Sequence, residues 1–266
     1  MTNAIENYKI YAIKYAHHDR PARDNFIGGD PHDDNMPLDY FVWAVVGESR
    51  TFLVDTGFDP KDGAARGRMT TRSVQDGLGA IGIRTDSVED VIITHMHYDH
   101  AGNRTLFPKA RYHVQDREMA YCTGRCMCHA PLSHPFDAED VKSMVGRIFE
   151  GNVQFHDGTS HVAPGISLHL VGGHTNGLQV VRVHTERGWV VLASDASHLY
   201  ANMEQDRPFP AVYNVGDMLE GYRRVHELAD SPQHVIPGHD PAVLARFPAH
   251  SNETADWIAR LDIGPR

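Results

Sequence analysis

The chain has 266 residues, 41% of them hydrophobic, and a mean hydropathy of −0.42. That suffices for one large sandwich-type domain, 1–266, while no run reaches the ~18 apolar residues of a membrane span. Lys and Arg number 25 against 35 Asp and Glu, and the net charge of −10 excludes the basic footprint of a nucleic-acid surface.

In chain order, the opening Met1 to Asn7 has neither a basic nor an apolar region, which predicts no signal peptide. Residues 8–14 alternate as a strand does. Residues 17–21 and 28–35 read as loops; His and Asp in the second have metal-like spacing but read as a solvated turn, or as a neighbour of an active site rather than a ligand source. Residues 39–46 and 51–54 are strands of a hairpin joined by Gly47 to Arg50. The second ends in Asp55-Thr56-Gly57, where the carboxylate either caps the next turn or accepts the N–H of a ligand histidine. Residues 73–81 predict a helix weakened by glycines.

Residues 90–94 are β-branched and apolar, a buried strand. Directly after it come His95, His97, Asp99 and His100, four potential metal ligands within six residues. In an extended segment His95, His97 and Asp99 share one face, and a reversal at Asp99-His100 brings His100 in from another side. One loop can thus offer imidazoles to one ion and a carboxylate plus an imidazole to a neighbour. Such a concentration costs stability unless something binds it, and imidazole with carboxylate suits zinc, and also iron, manganese or cobalt.

Residues 110–115 read as a strand, with Asp116 as N-cap of a helix through Tyr121. Cys122, Cys126 and Cys128 are the only cysteines. Their odd, sparse count gives no disulfide framework and fits a cytoplasmic protein, and their spacing does not match paired zinc-binding units. With the periodic helix at 138–149, the insertion at about 116–150 is expected to form a lid over the site or a homodimer surface. The second half offers strands at 153–156 and 166–171, then Gly172-Gly173-His174-Thr175, whose glycines leave His174 on a tight loop. Strands at 178–184 and 189–194 follow, the latter ending in Asp195. A helix at 215–229, a strand at 233–237 delivering Gly238-His239, and a terminal helix at 255–261 complete the reading.

Taken together, Asp55-Thr56-Gly57, His95-x-His97-x-Asp99-His100, Gly173-His174-Thr175, Asp195 and Gly238-His239 come in a fixed order, each on a loop after a strand. This resembles the metallo-β-lactamase superfamily over nearly the whole chain. The resemblance implies an α/β (α+β) fold, a four-layer αββα sandwich of two pseudo-symmetric halves. It implies His95, His97 and His174 on one ion, Asp99, His100 and His239 on a second, and Asp195 bridging. The set is similar to that of glyoxalase II and the N-acyl-homoserine lactone lactonases, and unlike the antibiotic-hydrolysing branch, which has Cys near the position of Asp195. The helical domain that glyoxalase II adds at its C-terminus has no counterpart expected after His239, so the lactonase branch fits better.

What this implies is a binuclear metal-dependent hydrolase that opens a lactone or similar small cyclic ester by attack of a metal-bound hydroxide. Its cofactors would be two divalent ions, Zn2+ ahead of Mn, Co or Fe. Asp99 would also orient the hydroxide. Where those lactonases carry a Tyr, three residues past the bridging Asp, this chain has His198, a candidate donor to the substrate oxygen, with Tyr200 nearby and a solvent-facing loop residue as the alternatives. The ligand set would also support thioester, cyclic amide or phosphodiester hydrolysis, or an iron-dependent oxidoreductase. The expected partner is a small-molecule substrate, with neither nucleic acid nor membrane.

Overall fold

The computed structural model describes residues 5–32 and 34–266. Met1 to Ala4 of the opening segment and Asp33 of the 28–35 loop lie outside the described residues. Runs of β-branched and aromatic residues build two sheets. The first half contributes β1 (Lys9–His18), β2 (Leu38–Val46), β3 (Thr51–Val54), β4 (Met69–Thr70), β5 (Asp90–Ile92), β6 (Arg111–Gln115) and β7 (Val153–His156). The second contributes β8 (Thr159–Ala163), β9 (Ile166–Leu170), β10 (Gln179–Thr185), β11 (Gly188–Ser194) and β12 (Val235–Pro237), and the chain ends with β13 (Ile258–Arg260).

One sheet runs β13-β1-β2-β3-β5-β6-β7, with β4 on β1, and the other runs β12-β11-β10-β9-β8. β3, β5, β6 and β7 are mutually parallel, as are β11 and β12, so in both halves the strands that precede site loops leave from one end. Consecutive residues such as Val180 and Val181, or Leu53 and Val54, are all inaccessible, which requires cover on both faces of each sheet. Helices Val74–Ala80 and Ala138–Phe149 lie against β1 and β7, and helix Val215–Leu228 against β11. The result is the four-layer αββα sandwich. Each of these helices starts at a side-chain cap: Ser73 Oγ accepts from Asp76 N–H, Asp137 from Glu139 N–H, and Asn214 from Asp217 N–H. Among the described residues no helix is long and apolar enough to cross a membrane.

Several elements differ from expectation. The terminal helix at 255–261 is instead a turn at Asn252–Thr254 followed by β13, which pairs antiparallel with β1. Ile258, Ala259 and Leu261 are all at most 1% exposed, a burial on successive residues that an amphipathic surface helix does not give. Strand β1 needs an edge partner, and Leu261 N–H donates to Ile10 O while Ile10 N–H donates to the Asp262 carboxylate. Asp116 is the first residue of helix Asp116–Cys122 rather than its cap, a place held by Gln115 without a side-chain bond. The expected loop at 17–21 starts late, because β1 continues past a bulge after Lys14 and pairs His17 and His18 with β2. β8 and the short helices Pro60–Ala65 and Tyr200–Glu204 carry too little periodicity to be read.

The packing of β13 makes a measurable claim. Ile258→Ala should lower the free energy of unfolding by about 2–5 kcal/mol, the cost of emptying a core site, in urea unfolding followed by circular dichroism. A loss under about 1 kcal/mol would mean that the C-terminal strand is not part of the core.

Candidate metal centre

Each side chain at the centre is delivered by a loop that leaves a strand. After β3, Asp55 adopts φ 61°, and Ser194 at the end of β11 adopts φ 46°. Both are left-handed conformations that a non-glycine residue holds only when its surroundings over-determine it. They occupy corresponding places in the two halves and turn Asp55 and Asp195 inward. After β5, His95 precedes His97, which caps the one-turn helix Tyr98–Ala101. This turn carries Asp99 and brings His100 back beside His95, their ring centroids 4.1 Å apart. His174 follows β9 and His239 follows β12. Gly238 is required beside it, since a Cβ there would lie 2.6 Å from Asp195 Oδ1.

The seven expected ligands converge, and all are buried. Ligand-type atoms of His95, His97 and His174 form one compact group, those of Asp99, His100 and His239 another, and His95, His100 and Asp195 a third between them. The two oxygens of Asp195 face different groups. Oδ1 lies 3.3 Å from His100 Nε2 and 3.0 Å from His239 Nε2, while Oδ2 lies 3.2 Å from His174 Nε2 and 3.9 Å from His95 Nε2. Asp99 Oδ2 lies 3.6 and 3.7 Å from His100 and His239. His95 Nε2, His100 Nε2 and Asp195 Oδ1 are buried without a hydrogen-bond partner, and His97 Nδ1 faces His174 Nε2 at 2.9 Å. Nitrogens aimed at each other and orphaned atoms aimed at common points are costly in a dry interior. Divalent cations would satisfy them, so the residues fit such ions.

The far sides of four of the rings are held. His100 Nδ1 lies 2.7 Å from Asp55 Oδ2, His174 Nδ1 2.6 Å from Ala211 O, His239 Nδ1 3.0 Å from Asp39 O, and His95 Nδ1 3.1 Å from Thr94 Oγ1. Burial, then the neighbouring imidazoles, pushes His95 and His97 well below the ordinary histidine range. For His100 burial acts in the same direction, but the carboxylates of Asp195, Asp99 and Asp55 together outweigh it and raise it well above that range. Burial would raise Asp195, yet His198, His239 and His100 hold it well below the usual carboxylate range.

His198 also reaches the centre. Its Nε2 is 3.0 Å from Asp195 Oδ2, its Nδ1 is buried without a partner, and its ring stacks on Phe209 at 3.7 Å. Burial lowers its pKa to about 3. His198 and Asp99 line a cavity of about 600 Å3 that opens onto the cluster. Tyr200 does not line it and lies under the Arg246 guanidinium at 3.7 Å. From the insertion, Pro131, His134 and Pro135 form part of the cavity wall, and Phe136 packs edge-on against His97 at 4.5 Å. Asp30 and His32 of the 28–35 loop sit together near Arg207 and do not line the cavity. Cys122 is buried, Cys126 half-buried and Cys128 exposed, and none joins a ligand-type cluster among the described residues.

Sequence reasoning missed Glu118. This inaccessible carboxylate accepts from Met96 N–H at 2.8 Å, Thr175 Oγ1–H at 2.6 Å and Gly177 N–H at 3.0 Å. It therefore ties the loop of His95 and His97 to the loop of His174. Gly177 admits it closely, since a Cβ there would lie 2.1 Å from Glu118 N. An acidic residue in the first turn of a helix ordinarily reads as a response to the helix dipole, so no local signal marked it.

The family model described as the metallo-beta-lactamase superfamily matches residues 36–246. An N-acyl homoserine lactonase of Bacillus thuringiensis is 27% identical over 222 residues, 77% of this chain and 82% of that protein. A probable metallo-hydrolase of Mycobacterium tuberculosis is 25% identical over 221 residues, 72% of this chain and 68% of that one. Among solved structures, a quorum-quenching N-acyl homoserine lactone hydrolase superposes with a TM-score of 0.71 at 24% identity, covering 90% of this chain and 94% of that one. A dizinc quorum-quenching lactonase does so with a TM-score of 0.69 at 15% identity, covering 89% and 92%.

Replacing Glu118 tests the clamp between the ligand loops. Glu118→Ala leaves three buried donors unpaired, and should cost about 2–5 kcal/mol of stability and roughly 10–100-fold in metal affinity by competition with a chelator. Glu118→Gln, which keeps an acceptor, should fall between. Wild-type metal affinity in the Ala variant would remove Glu118 from the support of the centre.

Proposed function

The chain belongs to the metallo-beta-lactamase superfamily, and from that premise we propose that it is a binuclear metal-dependent hydrolase that opens a lactone or a similar small cyclic ester. The observation that carries this reading is Asp195, whose two oxygens face two separate groups of imidazoles. His95, His97 and His174 would hold one ion, and Asp99, His100 and His239 the other, with Asp195 shared. When bound, such ions supply an acidified water near neutral pH and an electrophile for the carbonyl. The lactonase names of the relatives support the choice of a cyclic ester.

The chain's own groups then do the following work. Asp99 faces the cavity beside His100 and His239, where its carboxylate accepts a hydrogen bond from the attacking water and orients it. Asp55 fixes the tautomer of His100, and the Ala211 and Asp39 carbonyls fix those of His174 and His239. His198 lines the cavity with its Nε2 3.0 Å from Asp195 Oδ2, and it is this Nε2–H, the one donor of the neutral ring, that would donate to the oxygen on which negative charge develops. A second role has its own observation: His174, Asp195 and His198 also form a compact group of ligand-type atoms. Metal content separates the two.

Metal analysis should give about two ions per chain, seven ligands being too many for one. Chelation should abolish lactone hydrolysis, and zinc, manganese or cobalt should restore it. Full activity with one ion would end the binuclear reading. A reproducible iron content with visible absorption and no hydrolysis would point to oxidoreductase chemistry instead.

For His198→Ala, the expected result is a fall in kcat of roughly 10–10³-fold, the scale of one oxyanion donor, with metal content unchanged. Loss of an ion would make His198 a ligand, and unaltered kinetics would remove it from the reaction.

A further inference from the structure

Three arginines, Arg20, Arg66 and Arg68, line the same cavity as the ligand cluster. Their convergence on one cavity in a chain of net charge −10 has no explanation in the ligand set. Each is held in place. Arg66 donates to His134 O at 2.8 Å and Phe136 O at 3.1 Å and lies over the Tyr98 ring at 4.3 Å. Arg68 donates through Nε to Tyr98 Oη at 3.2 Å and through Nη1 to Arg66 O at 2.8 Å, with His18 Nε2 at 3.3 Å. Arg20 donates to Asp24 O, lies over the Phe209 ring at 4.8 Å, and has a buried Nε without a partner. All these acceptors are neutral carbonyls, a phenol and an imidazole; the nearby carboxylates, Asp24 for Arg20 and Asp99 for Arg68, act at a distance without a hydrogen bond to the guanidinium.

An uncharged substrate with an apolar tail would strip these guanidinium groups of water while giving their remaining N–H donors no acceptor, at a cost in desolvation. A carboxylate meets the forked donors of arginine in plane and restores the lost hydration. We propose that the substrate is a small lactone or ester bearing a carboxylate, which Arg20, Arg66 and Arg68 hold while its carbonyl faces the ligand cluster. The proposal rests on the hydrolase reading above and names the substrate class of that same site. The cavity of about 600 Å3 accommodates a compact molecule of this kind. Arg20 and His198 contact the same Phe209 ring, which sets the two ends of such a substrate on a common support.

The test uses a matched pair, 5-oxotetrahydrofuran-3-carboxylate and its primary amide, with the metallated full chain, and calorimetry with succinate as a carboxylate probe that cannot be hydrolysed. The carboxylate should be preferred at least about tenfold in kcat/KM, a difference of ~1.4 kcal/mol. The preference should shrink towards unity in Arg20→Gln and in Arg68→Gln, chiefly through KM, while metal content stays the same. Arg20→Gln guards against misfolding of the Arg68 variant, because Arg20 does not support the Arg66 loop. Equal hydrolysis of the two lactones, or a preference that survives both substitutions, would overturn the anionic pocket and leave the lactonase reading standing. Succinate binding weakened about tenfold by Arg20→Gln, with neither lactone hydrolysed, would uphold the pocket and sink the lactonase reading. Unchanged succinate binding without hydrolysis would sink both.

Discussion

The Asp55 carboxylate is the knot on which this molecule depends. It is inaccessible to solvent, yet it accepts from Thr94 N–H at 2.7 Å and Thr94 Oγ1–H at 2.8 Å, and pairs with His100 Nδ1 at 2.7 Å. Ser194 Oγ lies 3.5 Å away and 3.0 Å from Thr94 Oγ1. One side chain thus ties the end of β3, the end of β5, the helical turn of Asp99 and His100, and the end of β11 in the opposite sheet. Burial alone pushes its pKa up, and the His100 pairing and the Thr94 bonds oppose that. A carboxylate in such a place is stable only while all its donors are present. The left-handed backbone at Asp55 and Ser194 is a strain that this network sustains.

Glu118 does in the other group what Asp55 does in this one. Two buried carboxylates, each satisfied by backbone and hydroxyl donors, hold the loops from which the proposed ligands project. Between them lies a cluster whose own polar atoms are not satisfied by protein. Support is complete in the surrounding layer and incomplete in the centre. That division is the physical signature of a site built to hold a cation rather than of a polar core. Gln179 adds to it by donating to Ile93 O at 2.8 Å and accepting from Gln115, so hydrogen bonds join the two sheets close to the centre.

His95, His97, Asp99 and His100 were legible in the sequence because such residue types are rare in that density directly after an apolar strand, while the places of His174, Asp195 and His239 in the set were implied by the resemblance. Most strands were legible by alternation and β-branched runs, whereas the sandwich they form was implied only by the resemblance to the metallo-β-lactamase superfamily. The short stretch after Trp257 misled, since a few apolar residues have no decisive period and only the open edge of β1 decides that they form a strand. Arg20, Arg66 and Arg68 were not legible. They come from two separate loops, each looks like an ordinary solvated charge, and only the fold turns them into one cavity. Glu118 was hidden in the same way, its burial depending on two loops distant in sequence.

Phe209 connects the two chemistries proposed for the cavity. Its ring is parallel to that of His198, at 3.7 Å and 7° between planes, and it also receives the Arg20 guanidinium at 4.8 Å. A flat ring in this position fixes the plane of an imidazole more tightly than its single contact with Asp195 could. It also offers a cation its electron-rich face, an interaction that strengthens as water is excluded. A substrate carboxylate arriving at Arg20 draws on the same guanidinium. On the proposed reading, the guanidinium that would meet a substrate carboxylate and the imidazole that would donate to its reacting oxygen rest on one ring, so the spacing between the two is set by Phe209.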